Sequence, residues 1–224
     1  MSRAVVFNYA SDGVGQFKAM FPRGWQMAGV EKTNGGGSTN ITLPRSTAQK
    51  EFLRLGHMVL VEHETLPAYA GMIDLPWKAD PPAKMTVYNA EYLLSIRYPD
   101  VPLSVLSGSV AGMATQMISI VNQQEDTYLR PGDMSQAQDL VPDYTIDQRN
   151  MWDHLNKLCI TNGMEIIFRP QRNPVDRKLY IYVDIGTRLG YHTDALLHDG
   201  TGGNMIVQSA ELTEKIANRV VGVG

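Results

Sequence analysis

A single cysteine, Cys159, is all the thiol chemistry this chain has. No intrachain disulfide is possible, so the fold must stand on packing alone. Cys159 lies in a helical apolar pattern and reads as a small buried hydrophobe. An excess of positive charge is missing too: 20 basic residues against 23 acidic ones leave a formal net charge of −3. That balance gives no footprint for neutralising phosphates and argues against tight or sequence-specific nucleic-acid binding. The opening "MSRAVVFNYASDG" carries one Arg and a short apolar run interrupted by Asn8, which falls short of an export signal. The uncharged run over 101–124, "VPLSVLSGSVAGMATQMISIVNQQ", is broken by Ser104, Ser107, Ser109, Thr115, Gln116, Ser119 and Asn122. A membrane span needs about 20 predominantly apolar residues, so this run predicts an amphipathic helix in a protein core and no membrane span.

Signatures of chemistry are missing in the same way. The glycines at 35–37 lack the spaced Gly-Lys-Ser/Thr of a phosphate-binding loop and mark a flexible connection. "LSGSVAG" has Gly108 directly before Ser109 and Gly112 three residues on, which fails the nucleophile elbow and leaves Ser107 or Ser109 as a helix N-cap. Around "YAGMIDLPW" the chain gathers His57, Glu62, His63, Glu64, Asp74 and Glu91. On a strand His57 and His63 share a face but stand about 20 Å apart. One zinc ion, bound at about 2.0–2.2 Å, cannot be shared between them. His192 and His198 lie in a glycine-rich stretch with no metal-ligand spacing around them. Glu62 with Asp74, or Glu64 with Glu91, could be drawn as a glycosidase pair, yet charges at strand ends usually form a solvated face. No metal, cofactor or catalytic residue is expected. Trp25, Trp77 and Trp152 fall in three segments with no interleaved basic residues, and are expected as core or interface anchors.

What the chain does have is 43% hydrophobic residues in two kinds of pattern. "AVVFNYA", "STNITLP", "HMVLVEHE", "AYAGMIDLP" and "KMTVYNAEYLLSIRY" read as strands, the last three as an antiparallel meander. "RSTAQKEFLRLG" reads as a short helix, with Ser46 and Gln49 as a capping box and Gly56 as its stop. After Pro99 the pattern turns helical, with Val110, Ala114, Met117, Ile118 and Val121 on one stripe. A second helix is expected within "DLVPDYTIDQRNMWDHLNKLCITNG", capped by Thr145 and Gln148, buried through Met151, Leu155 and Leu158, and ended by Gly163. "MEIIFRP" and "KLYIYVDIG" read as a strand pair. The closing "NRVVGVG" reads as a strand with no turn or partner after it, so the barrel or sheet it belongs to is expected to be completed by residues beyond it or by another subunit.

The order of "TLP", "AQKEFLRLG", "HMVLVEH", "YAGMIDLPW" and "KMTVYNAEYLLSIR" resembles the opening barrel of the tail-hub proteins of long-tailed bacteriophages. "MWDHLNKLCITNGMEIIFRP" resembles that family's middle domain, and "ELTEKIANRVVGVG" the return towards a second barrel, with Asn218 and Arg219 matching its usual form. The resemblance implies an α+β, β-rich fold. A tube-like antiparallel β-barrel would occupy 1–98, an inserted α+β middle domain 99–200, and the beginning of a second barrel 201–224. It also implies a non-enzymatic virion protein of the tail tip, made in the host cytoplasm. The expected assembly is a homotrimer whose barrels form a pseudo-sixfold ring that continues the tail tube, contacts the distal tail and tape-measure proteins, and lets DNA pass. Gly71, Trp77, Trp152, Asn218 and Arg219 are the expected structural or interface positions. Two other readings are a cell-wall hydrolase using carboxylates between 62 and 91, and a carbohydrate- or receptor-binding module using Trp77 or Trp25.

Overall fold

The computed structural model describes residues 3–7, 17–21, 25–31, 37–43, 56–62, 68–74, 83–99, 104–187, 189 and 219–222. The N-terminal part is built from β1 (Arg3–Phe7), β2 (Phe17–Met20), β3 (Gln26–Glu31), β4 (Ser38–Leu43), β5 (Met58–Glu62), β6 (Tyr69–Ile73) and β7 (Ala83–Asn89). With β13 (Arg219–Gly222) they form an eight-stranded sheet in the order β13-β3-β4-β7-β6-β5-β1-β2, and every pairing in it is antiparallel. The predicted meander of β5, β6 and β7 is present.

Chain length requires this sheet to curl. In the sheet β2 and β3 stand six strand spacings apart, which in a flat sheet is about 29 Å. Only six residue steps join Met20 to Gln26, and they reach at most about 20–22 Å. The sheet therefore bends into a barrel-like tube that brings its two ends together. Phe21 and Trp25, in that short connection, meet edge to face at 6.3 Å and pack on the same interior cluster.

"AVVF" and "MVLV" do not alternate with polar residues because both faces of β1 and β5 are covered. Ala4, Val6, Val59, Val61 and Ile73 point to the interior with Ile41, Leu43, Met85 and Val87. Val5, Phe7, Met58, Leu60, Ala70 and Met72 point the other way and join the core of the middle region.

That region contains α1 (Tyr92–Ser95), β8 (Ser104–Ser109), α2 (Val110–Gln124), β9 (Leu129–Pro131), β10 (Leu140–Ile146), α3 (Met151–Thr161), β11 (Glu165–Arg172) and β12 (Leu179–Gly186). β8 and β10 form a two-stranded ribbon; β11, β12 and β9 form a three-stranded sheet in which β9 runs parallel to β12. The predicted stripe of α2 is buried at Val110, Ala114, Met117, Ile118 and Val121. Among the described residues no helix is long and apolar enough to cross a membrane.

Three expectations need correction. The segment read as one long strand after Lys84 ends at Asn89 and turns into α1, where the Ser95 N–H donates to the Glu91 carbonyl and the Ile96 N–H to the Tyr92 carbonyl, bonds four residues back that no strand makes. The uncharged run splits, since Ser104–Ser109 is a strand and Gly108 holds φ +124 just before the helix. Thr145 and Gln148 are not a capping box. Leu140–Ile146 is a strand paired with β8, and the true N-cap of α3 is Asn150, whose side chain accepts the Asp153 N–H at 2.9 Å. The closing strand Arg219–Gly222 joins the N-terminal sheet by pairing with β3. Gly163 ends α3 as expected, at φ +66, a conformation glycine adopts without penalty. The helix expected around 46–55 lies outside the described residues.

Cys159 is fully buried in α3, and burial pushes its thiol up to about 12. In the native protein it should resist an alkylating reagent at pH 8 and react only with unfolding, since the thiolate is the nucleophile. Mass spectrometry after timed iodoacetamide exposure checks this; rapid native labelling would contradict the packing.

Candidate functional site

Three polar groupings link elements of the described structure, and the first surrounds Gly71. A Cβ placed there would overlap the Tyr88 main-chain oxygen and lie 2.6 Å from Val87 Cγ1 and 2.7 Å from Tyr69 Oη. Only glycine lets β6 and β7 approach so closely. The β5–β6 and β6–β7 ladders stay regular here, so Gly71 serves close approach and not a bulge. The Tyr69 hydroxyl crosses the gap and donates to Asn89 Oδ1 at 2.9 Å, with the Val87 carbonyl at 3.3 Å. Glu91, buried at the start of α1, accepts the Gly37 N–H through Oε1 at 2.6 Å. The end of the glycine run is thereby fastened to the barrel–helix corner.

The second grouping pins a loop to the three-stranded sheet. Asp184 on β12 accepts from Arg169 Nε at 2.7 Å, Arg169 Nη2 at 3.2 Å and the Asp133 N–H at 2.7 Å. The bond to Asp184 raises the Arg169 guanidinium further above its ordinary value. Arg169 also lies 5.2 Å from the Tyr182 ring centroid.

The third was missed in the sequence. His154, fully buried on α3, meets the Tyr144 hydroxyl of β10 at 3.2 Å through Nδ1. Its Nε2 meets the Asp147 main-chain oxygen at 3.2 Å and the Asp147 carboxylate at 3.2 Å. The signal was available, because His154 follows Met151 by three residues and precedes Leu158 by four on the buried face. The Arg149 side chain and N–H bond the Asp147 carboxyl and hold it down at about 2. Burial pushes the Tyr144 phenol up from its ordinary value.

His57 and Glu91 are buried, and Glu62 and Asp74 are partly exposed. The charge of Asp74, ahead of burial, raises the Tyr88 phenol. Glu62 lines a shallow depression of about 360 Å³ with Arg172, Asn173, Pro174 and Arg177. His63, Glu64, Trp77, His192, His198 and Asn218 lie outside the described residues. Of Arg219 only the backbone is described, paired with Glu31. Among the described residues no three His, Cys, Asp or Glu side chains group to hold a metal ion. Ser109 does sit at a strand-to-helix junction, but its hydroxyl caps α2 by accepting the Gly112 N–H at 3.1 Å. Trp152 packs on Phe168 at 5.9 Å, and Trp25 on Phe21.

No protein-family model and no curated protein matches this chain. Solved structures do. The c3393 protein of E. coli, described as a type VI secretion component with structural similarity to the T4 tail proteins gp27 and gp5, superposes with a TM-score of 0.50 at 11% identity, over 75% of this chain and 47% of its own. The 43 kDa tail protein of prophage MuSo2 from Shewanella oneidensis gives 0.47 at 13% identity, over 80% of this chain and 54% of its own. A tail protein from Neisseria meningitidis gives 0.46 at 13% identity, over 80% and 50%. The chain spans about half the length of each of these proteins. The curled antiparallel sheet with its α+β middle region is thus a fold shared with the c3393 protein.

Proposed function

We propose that this chain is a structural, non-enzymatic subunit of a phage tail tip, a hub-like protein of the virion assembled after synthesis in the host cytoplasm. The observation that carries the reading is the curled eight-stranded sheet with its middle region packed on the outer face, matched over 75% of the chain by the c3393 fold. Copies of the chain form a homotrimeric ring that continues the tail tube, with distal tail and tape-measure proteins as neighbours. The chain's formal charge of −3 suits a passage for DNA, because a lumen that neutralised phosphates would hold the duplex through counterion release.

The hydrolase reading finds less support. Glu91 is buried and bonded to the Gly37 N–H, while Asp74 lies against Tyr88. The test is electron microscopy and sedimentation of the full chain, alone and mixed with its tail-tube protein. A ring of three subunits stacking on the tube is the expected result. A chain that stays monomeric at high concentration and forms no ring with tail proteins would overturn the proposal.

A further inference from the structure

We infer that neighbouring copies of this chain meet head to tail, the outer face of the β8–β10 ribbon on one copy receiving the tip of the β11–β12 hairpin of the next. The inference rests on the ring reading above and names the two surfaces that would build it.

The ribbon's outer face carries two exposed apolar side chains. Val105 and Leu140 are 63% and 83% exposed. Thr145 faces Val105 across the ladder, and Ser109 faces Leu140. Two strands alone are marginal in water, and this pair has a core on one side only. Beside the apolar pair stand Asp139 and Asp143, both exposed and without an ion pair among the described residues.

The hairpin tip offers the opposite character. Val175 is 90% exposed. Asp176, the carboxylate at the tip, is engaged within the hairpin, accepting the Lys178 N–H at 2.9 Å and the Tyr180 hydroxyl at 2.8 Å. Arg177 is exposed and has no ion pair among the described residues. Arg172 extends the basic patch to β2, its guanidinium 5.6 Å from the Phe17 ring centroid, with Glu62 in the same depression.

Charge decides the pairing. Ribbon against ribbon would set Asp139 and Asp143 against their own copies, and tip against tip would do the same to Arg177. Ribbon against tip sets Val175 against the exposed Val105 and Leu140, with Asp139 and Asp143 facing Arg177. A contact between two different patches of one chain is heterologous, the kind that closes rings.

Sedimentation of full-length variants at low salt tests the pairing. Asp143→Arg and Arg177→Asp should each weaken self-association about tenfold. The double variant, which restores opposite charges in one chain, should recover nearly all of the loss. Leu140→Ser should also weaken assembly, and the charge swap should not rescue it. Normal assembly of both single variants, or a double variant as weak as the two losses added, overturns the assignment of these patches and leaves the ring reading standing. A wild-type chain that never self-associates overturns both.

Discussion

Gly71→Ala should lower the stability of the full chain by about 3 kcal/mol, at the upper end of what overpacking costs in a closed core. The added methyl meets a main-chain oxygen at Tyr88, which cannot rotate away as a side chain would. Relief requires β6 and β7 to separate, and their ladder runs through Gly71, Met72 and Ile73 opposite Asn89, Tyr88 and Val87. The same methyl displaces the Tyr69 hydroxyl from Asn89 Oδ1. For a chain of this size the loss corresponds to a fall of about 6–12 °C in Tm. Gly112→Ala is the control. In the first turn of α2 its Cβ meets only Ser109 Oγ at 3.4 Å, so exchange should be neutral or stabilise by up to about 1 kcal/mol. Urea titrations of the two variants read the difference directly. Equal stabilities would show that the close approach at Gly71 is not real.

The sequence made Gly71 legible as a glycine inside an apolar alternation, open to close backbone approach or a bulge, and only the regular ladders on both sides decide for the first. The strands buried on both faces were legible for a related reason: "AVVF" and "MVLV" are β-branched and short. β2 was not, since "FKAM" is largely exposed and carries no alternation that points inward. Its place is set by pairing with β1 and by the short reach to β3, neither of which is a local property. β10 misled for the opposite reason. Thr145 and Gln148 have the spacing of a capping box just ahead of a helix, yet hydrogen bonding to β8 claims Thr145, and the cap passes to Asn150. The acidic and histidine residues around "YAGMIDLPW" suggested chemistry by their number. The fold sets Glu91 against the Gly37 N–H and Glu62 beside Arg172.

His154→Ala should cost about 2–4 kcal/mol, combining a cavity in the core with the loss of two hydrogen bonds. The imidazole is fully buried between α3 and β10 and supplies the polar link between them. Tyr144→Phe removes one of those bonds and should cost about 1 kcal/mol. The two losses should not add, because both delete the same contact, and a double-mutant cycle should show coupling of about 0.5–1.5 kcal/mol. A second readout separates this role from packing alone. Burial raises the Tyr144 phenol above its ordinary value of 10.0. The phenol therefore contributes stability that is intact below pH 10 and is lost as pH rises through the shifted value. Water entering the space left by His154→Ala should bring the phenol back towards its ordinary value and flatten that alkaline loss. Hydrogen exchange should quicken in the ribbon, where β10 rests on few other buried anchors, and change little in the β11–β12 ladder. Additive losses, an unmoved Tyr144 titration and unchanged exchange in β10 would together show that the ribbon is held by its ladder to β8 alone.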